Sequence, residues 1–268
     1  MNIFYNINMN LLAVNRVAFN LFGMDIYWYG VIISVSILIA YLVSLYLVKV
    51  RKIEKDLPFE LLLFAIPLGI IFARFTAVLF DSSLTIANFF NFRSGGMSII
   101  GAIFGGVLGI LLLRLIKKRS LLDSFDLIAT VVILAQAIGR WGNFFNGEIY
   151  GRPITNPSLQ FFPFAVNING EFFEALFFYE FVLNIIGFII LFVLYKKTTI
   201  KGLPTGGYLL YYGIIRTILE PRRQAKYILM IGRVPFSLLS SILMMVAGVT
   251  LIVWVLVNYY KKKKLEKK

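Results

Sequence analysis

The segment 121–151, LLDSFDLIATVVILAQAIGRWGNFFNGEIYG, joins an apolar run to a dense group of polar side chains. The run at about 121–140 is long enough to cross the roughly 30 Å hydrocarbon core of a bilayer. The polar group follows directly in 139–151 and consists of Arg140, Asn143, Asn146 and Glu148 among several glycines. Ionisable groups at membrane depth are costly and mark functional sites. We therefore predict that the rest of the chain holds 139–151 at one face of a membrane.

The composition places the chain in the polytopic membrane class. Of 268 residues, 59% are hydrophobic and 15% are charged, and the mean hydropathy is +0.83. The absence of Cys excludes a disulfide framework, a thiol nucleophile and a Cys-ligated metal. The absence of His removes the usual base near neutral pH and the commonest metal ligand. We expect no metal and no organic cofactor, and acid–base chemistry that uses Glu, Asp, Tyr, Lys or the substrate's own groups.

Seven apolar runs predict an all-α integral membrane fold with about seven transmembrane helices. The runs cover 26–48, about 59–80, 94–113, about 121–140, about 175–195, about 205–221 and about 234–260. We expect 1–260 to form a single transmembrane domain and 261–268 to form a cytoplasmic Lys-rich tail.

The segments outside the runs have their own compositions. Residues 1–24 carry Arg16 as their only charge and lack a basic region before a short apolar core, which is atypical of a signal peptide. An amphipathic segment on the membrane surface is the preferred interpretation, and a disordered lead-in is the alternative. The polar stretch 151–172, rich in Pro, Asn and Gly, is predicted to be a loop outside the membrane.

The formal net charge of +14 reflects orientation rather than nucleic-acid binding. All but one of the lysines lie after the odd-numbered runs or in the tail. The basic residues on that side are Lys49, Arg51, Lys52, Lys55, Arg114, Lys117, Lys118, Arg119, Lys196, Lys197, Lys201, Lys261, Lys262, Lys263, Lys264, Lys267 and Lys268. By the positive-inside rule this side is cytoplasmic, so we predict that the N-terminus is outside and the C-terminus inside.

The remaining cations are nearly all arginines and lie within the runs or on the outer side. They are Arg16, Arg74, Arg93, Arg140, Arg152, Arg216, Arg222, Arg223, Lys226 and Arg233. A guanidinium presents a planar set of donors suited to phosphate or carboxylate. This distribution favours an anion site that faces outward. The alternative is that these arginines pair with Glu148, Glu180 and Glu220 as internal structural clamps.

Two helical patterns have both a structural and a functional interpretation. Gly101, Gly105 and Gly109 follow an i, i+4, i+8 spacing, which is typical of close helix packing in lipid; a path for a lipid headgroup is the alternative.

Tyr212, Arg216 and Glu220 share the same spacing and therefore one helix face, which must contact protein or a wet cavity rather than lipid. We favour a substrate-facing Arg216 held by Glu220 over a pair that only fixes helix packing. Tyr29, in Trp28-Tyr29-Gly30, is either an interfacial anchor or part of the same site.

These residues together resemble the prolipoprotein diacylglyceryl transferase family, in an order that covers the whole chain. The matching features are GRWGNFFNGEIYG at 139–151, WYG at 28–30, Ala73-Arg74, GGMS at 95–98, Tyr179-Glu180, the Tyr212/Arg216/Glu220 helix and the Val-Pro-Phe-Ser that enters the seventh run. The signature is long and specific.

The resemblance implies an enzyme of the bacterial cytoplasmic membrane whose active site faces the outer leaflet. Such an enzyme moves the diacylglyceryl group of phosphatidylglycerol to the thiol of the lipobox cysteine in a preprolipoprotein signal peptide, forms a thioether, and releases glycerol-1-phosphate. It implies that Arg140 contacts the lipid phosphate, that Asn143, Asn146 and Gly151 shape the site, and that Glu148 orients it. Tyr29, Arg74, Tyr212, Arg216 and Glu220 match further functional positions.

The chain departs from the family pattern at two places. Ile100 stands where the family usually has a His shortly after GGMS, and Glu174 and Ala175 stand where it usually has a His-Pro pair. A thiol with a pKa of about 8.5 is already partly ionised near neutrality, and neighbouring arginines lower that pKa. Catalysis therefore does not require His.

The expected mechanism is attack of the substrate thiolate on the glycerol carbon, with Arg140 and Arg216 neutralising the departing phosphate and Glu220 and Glu148 positioning them. Glu148 is the first candidate for a protein base and Tyr29 the second.

Two alternative functions stay open: a family-derived lipid-binding or regulatory protein that has lost transferase activity, and a small transporter with a mid-membrane anion site. Transporters often show internal repeats, and none is evident here.

Overall fold

Seven helices dominate the computed structural model, which describes residues 15–80, 84–85, 89–91, 96–225, 228 and 230–266. Within those residues the helices are α1 Trp28–Arg51, α2 Leu57–Phe80, α3 Ile99–Lys117, α4 Leu121–Asn146, α5 Leu176–Lys197, α6 Leu203–Leu219 and α7 Phe236–Leu265. All but α6 are long and apolar enough to cross a membrane. The predicted all-α polytopic fold and its helix count are confirmed.

Three short antiparallel hairpins accompany the helices in the described residues. They are β1 Val17–Leu21 with β2 Met24–Tyr27, β3 Ala165–Ile168 with β4 Glu171–Glu174, and β5 Met230–Ile231 with β6 Val234–Pro235. The first hairpin precedes α1, the second lies between α4 and α5, and the third lies between α6 and α7. The first 14 residues of the predicted surface segment lie outside the described residues, and the part that follows is the β1–β2 hairpin.

The chain divides into two compact units. One consists of 44–128, and the other of 1–43 together with 129–268. Helices α1 and α4 each contribute residues to both units.

The unit 44–128 is held together by close packing of α2 against α3. Gly101, Gly105 and Gly109 of α3 face the α2 backbone: an added Cβ at Gly105 would lie 2.2 Å from the carbonyl oxygen of Leu68. Small residues at this spacing allow two helix backbones to approach in lipid, where no hydrophobic force joins helices. The packing interpretation of the three glycines is confirmed.

Ion pairs at the ends of helices also stabilise this unit. Arg119, just before α4, donates from Nε to Oε2 of Glu60 at 2.6 Å. This hydrogen bond, with the attraction of nearby acidic groups, raises the pKa of Arg119 above its ordinary value. Arg51 at the end of α1 donates to the fully buried Asp126 at 2.8 Å.

Helix α4 is longer than the sequence predicts. The apolar run was expected to end near 140, but the helix continues to Asn146, so Arg140 and Asn143 lie in its last turns and not in a loop. The chain leaves the helix at Gly147, which has φ of 65°, a conformation that glycine adopts without steric cost. The polar residues of the signature are therefore presented by a rigid helix end.

The predicted outer loop 151–172 is compactly folded in its second half. Strands β3 and β4 pair from Ala165↔Glu174 to Ile168↔Glu171. Val166 and Phe173 from this hairpin pack with Phe144 and Phe177 in one buried cluster. The hydroxyl of Tyr179 donates to the carbonyl of Phe164 at 2.7 Å. Side chains of the hairpin and of the two helices bury one another, and these contacts hold the hairpin against the end of α4 and the start of α5.

Two further helix boundaries differ from the predicted runs. Helix α6 spans 17 residues between Gly202, a left-handed N-cap with φ of 88°, and Leu219, after which a 3-10 turn covers Glu220–Arg222 with Pro221 at its second position. Helix α7 reaches Leu265, so the lysines 261–264 of the predicted tail continue the helix.

Candidate functional site

Three arginines and two glutamates form a connected ion-pair cluster. Glu180 of α5 accepts from Arg140 of α4 at 2.5 Å, from Arg216 of α6 at 3.4 Å and from Arg223 at 3.3 Å. Glu220 accepts from Arg216 at 2.7 Å, and its Oε2 lies 3.6 Å from Nε of Arg223. The predicted pairing of Arg216 with Glu220 on one helix face is confirmed. The cluster joins three helices through a single carboxylate.

In this cluster the carboxylates are more deeply buried than the guanidiniums. The side chains of Glu180 and Glu220 are 1% and 3% exposed, whereas those of Arg140, Arg216 and Arg223 are 14%, 12% and 10% exposed. Burial, together with the neighbouring Arg216 guanidinium, lowers the pKa of Arg223 from its ordinary value. Within the cluster the guanidiniums are therefore more accessible than the two carboxylates.

A second network joins Arg140 to Glu148. Nη1 of Arg140 donates to the side-chain oxygen of Asn143 at 3.4 Å, and the amide nitrogen of Asn143 donates to Oε1 of Glu148 at 3.0 Å. The amide of Asn146 donates to the same oxygen at 3.1 Å. In addition, the backbone N–H of Glu148 donates to the carbonyl of Asn143. The two asparagines thereby hold the Glu148 carboxylate next to the end of α4 and outside the ion-pair cluster.

The ring of Tyr29 lies directly on α4. A Cβ added at Gly142 would be 2.7 Å from Cδ2 and 3.0 Å from Cε2 of Tyr29. Gly142 therefore permits a contact that no larger residue allows. One residue earlier in α1, Trp28 stacks on Phe145 at a centroid distance of 5.0 Å. These contacts bring Tyr29 to the helix turn that carries Arg140 and Asn143.

Gly151 shapes the site by packing rather than by presenting a functional group. Its backbone N–H donates to the carbonyl of Glu174, and an added Cβ would lie 2.6 Å from Oε2 of that residue. The Glu174 carboxylate pairs with Arg222 at 2.8 Å. A glycine at 151 therefore lets the loop after Glu148 fit against strand β4.

Tyr212 lies beside Arg140, within hydrogen-bonding reach of its guanidinium. Its ring stacks on that of Tyr208 at 5.6 Å and 11°, and the hydroxyl of Tyr208 accepts from the amide of Gln136 at 3.0 Å. The structure therefore brings together the predicted residues Tyr29, Arg140, Asn143, Asn146, Glu148, Tyr212, Arg216 and Glu220.

Arg74, predicted to bind substrate, belongs to the unit 44–128. Its side chain is fully buried, and it donates to the backbone carbonyls of Phe89, Asn91 and Gly96 at 3.0, 2.9 and 2.9 Å. Arg74 therefore connects α2 to three carbonyl groups of the segment between α2 and α3.

Glu180 and Arg223 are not among the site residues predicted from the sequence, where Glu180 appears only as a possible structural partner of the arginines. Glu180 was visible as a carboxylate within an apolar run, and Arg223 as part of a basic cluster after Glu220. Neither periodicity nor spacing shows that one carboxylate contacts three arginines from distant parts of the chain. That information is present only in the packing of α4, α5 and α6.

An aromatic wall adjoins the cluster. Trp141, next to Arg140, packs against Phe144, Phe177 and Phe181 with centroid distances of 6.0, 5.5 and 5.7 Å. A low-dielectric wall strengthens the electrostatic interactions of the neighbouring charges. The fold and the site together define a polytopic membrane protein with a largely buried cluster of arginines and glutamates.

Comparison with known proteins narrows this class. The family model for prolipoprotein diacylglyceryl transferase matches residues 16–254. The chain is 36% identical over 258 residues to the phosphatidylglycerol–prolipoprotein diacylglyceryl transferase of Clostridium botulinum, covering 94% of this chain and 99% of the relative. It is 35% identical over 242 residues to that of Finegoldia magna, covering 89% and 94%. The chain belongs to the prolipoprotein diacylglyceryl transferase family.

Proposed function

We propose that this protein transfers the diacylglyceryl group of phosphatidylglycerol to the thiol of the lipobox cysteine in preprolipoproteins. The names of its relatives give the lipid donor and the prolipoprotein acceptor. The observation that carries the proposal is the orientation of the ion-pair cluster, in which Arg140 and Arg216 are backed by buried glutamates and remain partly exposed. Fixed donors of this kind stabilise the charge that develops on a leaving phosphate.

The reaction forms one S–C bond and breaks one C–O bond. The thiolate of the acceptor cysteine attacks the glycerol carbon that bears the phosphate, and the electron pair of the broken bond leaves on the phosphate oxygen. Arg140 and Arg216 bind that phosphate. Each guanidinium has five N–H donors, so it can hold a ligand oxygen while it also contacts a glutamate. The products are the thioether and glycerol-1-phosphate.

The thiol proton goes to Glu148 in this proposal. Its Oε1 accepts from Asn143 and Asn146, which fixes the carboxylate beside the Arg140 turn. Tyr29, whose ring lies on the same turn, is the second candidate base. The chain contains no His, so a carboxylate or phenol must do what an imidazole does elsewhere, unless solvent removes the proton.

The proposed setting is the bacterial cytoplasmic membrane, with the site near the outer leaflet. The distribution of lysines supports this orientation, with the N-terminus outside and the C-terminus inside. Arg140 lies near the end of α4, at the opposite end from the basic segment that precedes Leu121. Phosphatidylglycerol would present its phosphate at this level and its acyl chains toward the bilayer centre.

The test is a mass-shift assay with the purified protein, phosphatidylglycerol and a lipobox peptide. We expect the mass of one diacylglyceryl group to be added to the peptide, and no addition when the cysteine of the peptide is replaced by serine. Binding of phosphatidylglycerol without any transfer would reject the proposal and favour a lipid-binding protein that has lost activity.

A further inference from the structure

Glu180 has a position that an arginine site for a phosphate does not by itself require. It is the most buried charged group of the cluster, and it contacts all three arginines, Arg140, Arg216 and Arg223. A phosphate that binds Arg140 and Arg216 must therefore share both with a fixed carboxylate. The mechanism proposed above assigns no step to Glu180.

The charges of the connected cluster leave one positive charge to be balanced. Three guanidiniums face two carboxylates, Glu180 and Glu220, within ion-pair distance. Among the other charged groups that the structure describes near the cluster, Glu174 pairs with Arg222. Glu148 accepts from two neutral asparagine amides, and the exposed Arg152 donates to the neutral carbonyl of Pro221, so the charges of these two residues offset each other. In a site of low exposure, where solvent screens poorly, a ligand that completes the charge balance is favoured over one that exceeds it.

The donor and the product differ in charge. A phosphodiester such as phosphatidylglycerol carries one negative charge at all pH values near neutrality. A phosphomonoester such as glycerol-1-phosphate carries close to two above its second pKa of about 6. The single excess positive charge matches the diester, whereas the product brings one negative charge too many.

We propose that Glu180 makes the arginine cluster select a singly charged phosphodiester over a doubly charged phosphomonoester, and thereby promotes release of the phosphorylated product. Bond cleavage creates the second negative charge on the phosphate. The arginines attract that charge, but repulsion from the buried Glu180 carboxylate and the larger cost of removing a dianion from water oppose the attraction and favour release of the product. Glu180 acts as a positioning and selectivity residue, and it does not touch the reacting carbon. This inference rests on the proposed function.

The experiment compares two water-soluble ligands of the same chemistry. The monoester is glycerol-1-phosphate, and the diester is glycerophosphoglycerol, which is phosphatidylglycerol without its acyl chains. Their dissociation constants are measured by titration calorimetry with the full-length protein in nanodiscs. The quantity of interest is the ratio of the monoester Kd to the diester Kd, because effects on the protein that are common to both ligands cancel in it.

For the unmodified protein we expect the ratio to exceed 1 at pH 8 and to fall toward 1 at pH 5.5. The monoester loses its second charge as the pH falls through about 6, whereas the diester does not change. Other titratable groups that face the cluster are Glu220 and Glu148, and the phenols Tyr29 and Tyr212. A change in the charge of any of these groups acts more strongly on the doubly charged ligand than on the singly charged one. The variants are therefore compared with the unmodified protein at the single pH of 8.

Glu180→Gln keeps the shape and removes the charge, so two positive charges remain to be balanced. We expect the ratio at pH 8 to fall by roughly ten- to hundredfold, as one charge within several ångströms at intermediate dielectric implies. We also expect inhibition by glycerol-1-phosphate to strengthen in the transfer assay. Glu171→Gln makes the same charge change at an exposed position of the β3–β4 hairpin and should leave the ratio unchanged.

If Glu180→Gln does not fold, Glu220→Gln provides the second variant. It removes a charge from the same cluster and should shift the ratio in the same direction. A folded Glu180→Gln protein with an unchanged ratio would overturn the inference, even if the enzyme transfers lipid. A shifted ratio in a protein that fails to transfer would overturn the proposed function and leave the anion selectivity standing.

Discussion

At the scale of single residues, the site depends on the shape of the guanidinium as well as on its charge. Arg140 directs one nitrogen toward Asn143 and the other toward Glu180. It therefore links the network that holds Glu148 to the ion-pair cluster around Glu180. An ammonium is a point charge on a flexible stem and cannot make this two-directional contact.

Arg140→Lys should consequently reduce transfer turnover by about 100-fold, the effect typical of the loss of one fixed oxyanion donor. The charge is kept, so the variant should still fold. Arg152→Lys is the matched control: Arg152 is exposed and donates to the carbonyl of Pro221 outside the cluster. Turnover of Arg140→Lys close to that of the unmodified enzyme would contradict the role given to the guanidinium.

A second residue-scale prediction concerns the glycines of the signature. Gly142→Ala places a methyl group 2.7 Å from the ring of Tyr29 and must displace it, whereas Gly139→Ala meets only Cδ1 of Ile33 at 3.5 Å. We expect Gly142→Ala to lower transfer activity by about 10-fold or more, because a shift of about 1 Å in a positioned group can have a large effect. Gly139→Ala should remain near full activity. Equal activities of the two variants would show that the Tyr29 contact is unimportant.

At the scale of elements, the helices are joined by two different kinds of contact. In the unit 44–128, α2 and α3 meet through glycines that bring their backbones together. In the other unit, α4, α5 and α6 are joined by the ion pairs of Glu180. The first kind of contact brings two helix backbones together, and the second brings charged side chains of three helices together.

The glycine contact predicts a clear difference between two neighbouring positions in α3. An added Cβ at Gly105 would lie 2.2 Å from the Leu68 carbonyl oxygen, whereas one at Gly106 meets nothing within 4 Å. Gly105→Ala should destabilise the protein by about 1–3 kcal/mol, as overpacking does. Gly106→Ala should be neutral or slightly stabilising. Thermal unfolding in detergent measures both, and a similar loss in the two variants would contradict the packing.

At the scale of the whole molecule, seven helices require the two ends of the chain to be on opposite sides of the membrane if all of them cross it. Helix α6 has 17 residues and is shorter than the rest. Its C-terminal end carries Arg216, which forms ion pairs with Glu180 and Glu220. These charged residues stand where a longer transmembrane helix would have apolar residues. The orientation therefore depends on α6 as much as on the lysines.

The absence of native cysteines makes this orientation directly testable. Single-cysteine variants Glu171→Cys, on the β3–β4 hairpin, and Lys264→Cys, near the end of α7, are exposed positions. In intact cells, a membrane-impermeant maleimide should label Glu171→Cys but should label Lys264→Cys only after the membrane is opened. Labelling of both residues from the same side would mean that one of the three helices between them, α5, α6 or α7, does not cross.

The sequence by itself determined the class of protein and the number of helices, and it named most of the residues of the candidate site. These features are local: an apolar run long enough to cross a bilayer, lysines after alternate runs, and a polar signature of contiguous residues. The i, i+4 geometry of Arg216 and Glu220 is likewise fixed by the helix period. The end of α4 was predicted too early, because polarity was taken to mark the end of the helix.

Only the tertiary structure decided how the charges are combined. It placed Glu180 against Arg140, Arg216 and Arg223, which are separated from it along the chain, and it turned the glutamates inward and the arginines outward. It also showed that Arg74 donates to three backbone carbonyls. Such pairings depend on how helices pack against one another, and periodicity within one helix carries no information about the residue that faces it from the next.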